Sequence, residues 1–198
     1  MRTLDDRLID LGNIVKSRDF QMKKGNANEV PYYIFDYDPA YELAVMDYVA
    51  LLKKEMNTPA TDSPLYVFDM YEIMMGFFAK KNFIRRFDVI EEKKGLLGLA
   101  RQMNNSLRIT DENGKNYITE YIAGHTPQHA GTYPIVMLVG IGKCFPLIRS
   151  HTILNFMHLD FSAVPVIAMF PGTYDGQYLR PFGTIPSENY YRAFKLVP

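Results

Sequence analysis

Residues Pro134 to His158, PIVMLVGIGKCFPLIRSHTILNFMH, constrain the fold more than any other part of the chain. The unbroken apolar run Ile135–Val139 has the length of a strand, and its lack of alternation suits a strand covered on both faces in a parallel sheet. A glycine-rich turn, Gly140–Lys143, follows, and Pro146 opens a helix that carries Arg149, Ser150 and His151. Nucleotide-binding α/β proteins build phosphate sites from this succession, because helix N-terminal N–H groups and the positive end of the dipole attract anions.

The flanking sequence extends the pattern. Leu4, Leu8, Leu11 and Val15 recur at helical spacing and predict an amphipathic helix over Thr3–Ser17, followed by a polar loop over Arg18–Glu29. Tyr32–Phe35 reads as a short buried strand. Asp38 then caps a helix with Pro39 in its first turn and Leu43, Met46, Val49, Ala50 and Leu52 on its packing face, running to about Met56. After a turn over Thr58–Pro64, Leu65–Phe68 is a second strand and Tyr71–Lys81 a helix. A basic helix over Ile84–Leu107 is broken at Gly95 or Gly98, and Asp111–Asn116 is a turn. Tyr117–Tyr121 fits a short helix or a strand. Pro165–Phe170 is a further apolar strand, and Leu179–Thr184 with Tyr190–Leu196, on either side of Pro186–Asn189, reads as an edge hairpin. Strands alternating with helices imply a single α/β domain over residues 1–198. It is a three-layer sandwich with a mainly parallel sheet of about four strands and a C-terminal edge hairpin, P-loop-like or Rossmann-like in outline.

Bulk properties set limits on function. One cysteine, Cys144, excludes an internal disulfide and a cysteine-based zinc cluster. No charged-then-apolar leader opens the chain and no apolar run approaches the ~20 residues of a membrane span, so a cytoplasmic location without membrane contact is expected. Net charge is zero yet segregated. Residues 29–72 carry nine acids against Lys53 and Lys54, and residues 80–108 carry eight bases against three acids. The two segments either face each other and cancel or steer partners of opposite sign.

In open α/β sheets ligands bind beyond the carboxyl ends of the strands. Those ends carry Asp36 and Asp38, Asp69, then Gly140, Gly142 and Lys143, with Arg149 just beyond, and these residues form the candidate ligand edge. The phosphate-loop pattern nevertheless fails. It needs glycine six residues before the lysine and a hydroxyl after it, where this chain has Met137 and Cys144. A dinucleotide fingerprint fails at Phe145. Asp36, Asp38 and Asp69 could hold magnesium, but Asp38 and Asp69 serve equally as helix caps, so no metal or cofactor is expected. His125 and His129 flank Pro127 in a loop, and adjacent Ser150 and His151 point apart on a helix. Phe83 and Phe87 among the cations suit either nucleic acid or burial in the core. Tyr174, Tyr178, Tyr190, Tyr191, Arg192 and Phe194 crowd the C-terminal region and form the candidate protein interface.

Four blocks together resemble the BrxB family of bacteriophage-exclusion (BREX) defence systems. They are Phe35–Pro39 with Glu42, Val139–Lys143 with Phe145 and Pro146, Ile148–Asn155, and Phe170–Gly172 with Tyr174 and Tyr190–Phe194. The resemblance implies a cytoplasmic bacterial protein that acts with PglZ, a phosphatase-fold protein, BrxC, a large ATPase, and the PglX methyltransferase. Its role would lie in phage restriction and host DNA methylation, with PglZ the direct partner and DNA contacted only within the complex. The resemblance supplies no catalytic residues, which makes a non-catalytic adaptor the first expectation. A nucleotide- or nucleic-acid-binding module using Lys143, Arg149 and the basic helix is the second. Metal-assisted hydrolysis through Asp36 and Asp69 is the third.

Overall fold

The computed structural model describes residues 2–22, 32–108, 116–145, 147, 164–183 and 193–198. Helix α1 (Leu4–Lys16) starts at a capping box in which Thr3 and Asp6 satisfy each other's backbone N–H groups. Ser17 ends it and caps a short α2 (Arg18–Gln21), so the expected polar loop begins with a helical turn. Strand β1 (Tyr32–Tyr37) leads through the Asp38 cap into a 3-10 turn at Pro39–Tyr41, and α3 (Glu42–Met56) follows. Strand β2 (Leu65–Asp69) passes directly into α4 (Met70–Lys80), whose first N–H groups are capped by Asp69. Helix α5 (Ile84–Ser106) kinks at Gly95, where φ is 66°, a value that glycine adopts without steric cost. The ambiguous Tyr117 segment is helix α6 (Tyr117–Gly124), capped by Asn116. Strands β3 (Ile135–Val139), β4 (Val166–Tyr174), β5 (Leu179–Pro181) and β6 (Phe194–Lys195) complete the described elements. The helix expected from Pro146 lies outside the described residues, as does the turn over Asp111–Asn116 apart from its last residue.

The fold is α/β with a mainly parallel sheet flanked by helices. Strand order is β2-β3-β4-β1-β6, and every neighbouring pair along that path is parallel. The expected C-terminal hairpin pairs differently. β5 turns back antiparallel on β4, while β6 crosses to the other side of β1 and runs parallel to it. The β4–β5 turn is held by the Asp175 carboxylate, which accepts from the N–H groups of Gln177 (2.9 Å) and Tyr178 (2.7 Å), and the expected turn at Pro186–Asn189 lies outside the described residues.

Period-two alternation divides the core between the faces. Ile34, Phe68, Val136, Leu138, Val166, Ala168 and Phe170 meet α4, α5 and α6 on one side. Phe35, Tyr37, Leu65, Ile135, Met137, Val139, Ile167 and Met169 meet α1 and α3 on the other. Full burial of each such side chain stabilises by roughly 1.5–3 kcal/mol, which is why β3, closed on both faces, tolerates no polar residue. The packing face of α3 is Val45, Val49, Leu52 and Met56, whereas Leu43, expected there, is 81% exposed. Phe83 and Phe87 pack against the core, with Phe87 edge-on to Phe78 at 4.9 Å.

Candidate functional site

Because β1, β2, β3 and β4 are parallel, their carboxyl ends share one edge, with Asp69 in register with Val139 and Tyr37 with Pro171. That edge has two halves of different character.

At the ends of β2 and β3 the Gly140–Lys143 turn wraps around a carboxylate of the chain itself. Lys143 Nζ donates to Asp69 Oδ2 at 3.0 Å, and Asp69 Oδ1 accepts from the N–H groups of Tyr71 (2.9 Å) and Glu72 (3.2 Å). The hydrogen bond to Asp69 raises the Lys143 ammonium above its ordinary range. Gly140 has φ 69°, and a Cβ there would stand 2.3 Å from Asp69 Oδ1, so both its conformation and its small size are required. A Cβ on Gly142 would meet Pro171 at 2.7 Å and Phe182 at 3.4 Å. Phe182, held at φ 55° with its N–H donating to Pro171, also lies edge-on to Phe145 at 5.8 Å. Cys144, at the position where a phosphate loop has a hydroxyl, is buried, and burial pushes its thiol up to about 12. The Gly140–Lys143 turn is therefore packed against Asp69, Pro171 and Phe182.

At the ends of β1 and β4, Asp36 is buried and fully engaged. Its carboxylate accepts from Arg7 (2.7 Å), Lys195 (2.9 Å) and the Tyr174 N–H (2.9 Å). Arg7 also donates to the Asp36 and Val197 carbonyls and lies 4.8 Å from the Phe35 ring centroid. One carboxylate thus ties α1, β1, β4 and β6 together. Asp38 sits beside it as the cap that accepts from Ala40 N–H at 2.9 Å. Next to this cluster a cleft of about 270 Å³ opens between Asp38, Thr173 and Phe182. Tyr37 donates to Glu42 at 2.6 Å, and burial together with that bond pushes its hydroxyl far above the ordinary tyrosine range.

The shared-magnesium reading does not survive the topology. β3 and β4 intervene between β1 and β2, which puts Asp36 and Asp69 about 14 Å apart at ordinary strand spacing, far beyond a common ion. Among the described residues no cluster of three metal-ligating side chains occurs. Of the expected interface residues, Tyr174 is a core side chain, 1% exposed, whose hydroxyl donates to the Ala193 carbonyl at 2.7 Å. Tyr178 and Phe194 are exposed. Arg149, Tyr190, Tyr191 and Arg192 lie outside the described residues. Sequence reading missed Arg7, Lys195 and Phe182. Arg7 had a usable signal, since it stands one residue from Leu8 at the margin of the apolar stripe of α1.

The segregated charges do not cancel each other directly. Acids of residues 29–72 pair with Arg7, Lys16, Arg18, Lys143 and Lys195, and among the described residues no ion pair joins them to the basic segment. No helix among the described residues is long and apolar enough to cross a membrane.

Fold and site together define a class: a mainly parallel α/β protein whose glycine-rich turn after β3 pairs its lysine with a carboxylate of its own chain. The family model described as BREX protein BrxB matches residues 66–196. The chain is 38% identical over 199 residues to a BREX protein BrxB of Bacillus cereus (strain H3081.97), covering 100% of this chain and 99% of that protein. It is 28% identical over 195 residues to a BREX protein BrxB of Escherichia coli O9:H4 (strain HS), covering 98% and 92% respectively. No solved structure matches it. The chain belongs to the BrxB family and is a component of a BREX phage-defence system.

Proposed function

We propose that this protein is a non-catalytic adaptor that docks PglZ within the BREX complex and so supports phage restriction and host DNA methylation. The observation that carries this reading is the Lys143–Asp69 pair, 3.0 Å long, inside the turn where a nucleotide enzyme would bind phosphate. A carboxylate held there by an ammonium and two helix N–H groups places negative charge beside the turn and works against binding of a second anion. The family architecture then serves as a scaffold. The docking surface is the exposed aromatic ground around Tyr178 and Phe194, together with Tyr190, Tyr191 and Arg192.

Co-expression with PglZ followed by size-exclusion chromatography tests this. The two proteins coelute, and Tyr178→Ala with Phe194→Ala shifts them apart while the adaptor still melts as a folded protein. Separate elution of the wild-type proteins overturns the adaptor reading.

A second reading rests on α5. Arg85, Arg86, Lys93, Lys94 and Arg101 are exposed cations with no ion-pair partner among the described residues, a surface suited to a nucleic-acid backbone within the complex. Salt-sensitive retention on DNA, lost on charge reversal of these residues, supports that reading. Retention unchanged by the reversals rejects it.

A further inference from the structure

β2 is the terminal strand of the described sheet, and its free edge is treated in two ways along its length. Ile135 N–H donates to the Pro64 carbonyl, so in a parallel ladder Tyr66 and Phe68 turn their main-chain groups to β3 while Leu65, Val67 and Asp69 turn theirs outward. At Leu65 the Asn57 side chain acts as a substitute strand: its Oδ1 accepts from Leu65 N–H at 2.8 Å and its Nδ2 donates to the Leu65 carbonyl at 3.0 Å. Val67 has no such cover among the described residues. Its edge opens instead into a groove of about 390 Å³ between β2, α4 and the rings of Tyr117 and Tyr121.

The outer face of α4 along this groove is Glu72, Gly76 and Lys80, all exposed and one helical turn apart. Gly76 is otherwise unexplained. It lies in the helix interior, where glycine lowers stability relative to alanine, and a Cβ built on it meets nothing within 4 Å. Internal packing therefore does not require it, whereas close approach from outside would. Six helical residues return about 9 Å along α4 and two strand residues about 7 Å along β2, so Gly76 stands near the level of Val67.

We propose that this face binds a second copy of the chain about a two-fold axis passing near Val67 and Gly76. Val67 N–H and C=O of each copy bond to those of the other as one antiparallel pair. The Asn57 cover on Leu65 stops the pairing from extending. The same axis sets the two α4 helices antiparallel with glycine against glycine, which brings Glu72 of each copy to Lys80 of the other. An acid, a glycine and a base in that order are self-complementary only under such a two-fold, the condition for an isologous interface. This face is remote from the Tyr178 and Phe194 surface, so its failure leaves the adaptor reading untouched.

Sedimentation equilibrium of the full chain over a concentration series tests the proposal. The wild-type mass rises from 22.8 kDa toward twice that value. Glu72→Lys and Lys80→Glu each raise the dimer dissociation constant at least tenfold, and the double variant restores it. Gly76→Leu blocks dimerisation while its thermal melt stays at or above that of the wild-type monomer, because the space around it is open. A wild-type protein that stays at the monomer mass throughout, or a double variant no better than either single one, overturns it.

Discussion

Lys143 reaches across the ends of β3 and β2 to hold Asp69 at 3.0 Å, and Gly140 is a glycine because a Cβ there would collide with that same carboxylate. The turn is built around an internal anion. Three substitutions separate its parts. Lys143→Ala removes a half-exposed ion pair and costs less than about 1 kcal/mol. Asp69→Ala removes the α4 cap as well and costs about 1–2 kcal/mol. Gly140→Ala adds positive-φ strain to the collision and costs at least about 2 kcal/mol. Urea unfolding of the three variants gives the order, and a Lys143→Ala loss as large as that of Gly140→Ala would contradict it.

Asp36 is the strongest single polar dependence in the described structure. Removing it leaves Arg7, Lys195 and the Tyr174 N–H without their shared acceptor, and unpaired charge in a buried site costs roughly 3–5 kcal/mol. Asp36→Ala is expected to lose that amount in a denaturant titration. Lys195→Ala loses less, since its side chain is 34% exposed and Arg7 still neutralises Asp36. An Asp36→Ala variant within 0.5 kcal/mol of wild type, roughly the range of surface substitutions, would show the cluster to be ornamental.

How far the fold could be read from the chain depended on how local each signal was. The apolar run at Ile135–Val139 is a strand with those bounds because five buried residues in a row leave no other solution for so short a segment. Asp38–Pro39 was legible as a cap, yet the turn behind it is 3-10 and the α-helix starts at Glu42. Leu43 was misplaced because apolar spacing alone cannot tell which of two adjacent stripes faces the sheet. β6 falls inside the expected strand Tyr190–Leu196, but its partner was beyond reach, since the pairing with β1 joins residues some 160 positions apart and leaves no local trace. The candidate edge followed from the strand ends. Its occupancy did not, because Lys143–Asp69 and Asp36–Lys195 are long-range pairs.

Cys144 reports on the closure of the turn. Burial, and then the Asp69 charge, lift its thiol from 9.0 to about 12. The folded state therefore holds the proton more tightly than the unfolded chain. This contribution is complete below pH 9 and is lost as pH rises from about 9 toward 12. Stability measured between pH 8 and pH 11 is expected to fall less steeply in Cys144→Ala than in the wild type. Thiol-reagent labelling at pH 8 is expected to be slow in the folded protein and fast in denaturant, and rapid native labelling would mean that the turn opens freely.

Tyr174 connects the long β4 strand to the last strand of the chain. Its hydroxyl donates to Ala193 at 2.7 Å, its N–H donates to Asp36, and its carbonyl accepts from Lys195 at 3.1 Å. β6 has only Phe194 and Lys195 in its ladder, with Leu196 N–H donating to Ile34 at 2.9 Å. So short a strand adds few main-chain bonds of its own and depends on Tyr174 for its position. Tyr174→Phe leaves the Ala193 carbonyl without this donor and costs about 1–3 kcal/mol. The loss is expected to be local first: hydrogen exchange at Leu196 accelerates by tenfold or more while exchange at Leu138 in β3 changes only with global stability. If docking of PglZ uses Phe194, the same substitution weakens coelution without touching an exposed side chain. Equal acceleration at Leu196 and Leu138 would place the effect in the whole sheet and remove β6 as a separately held element.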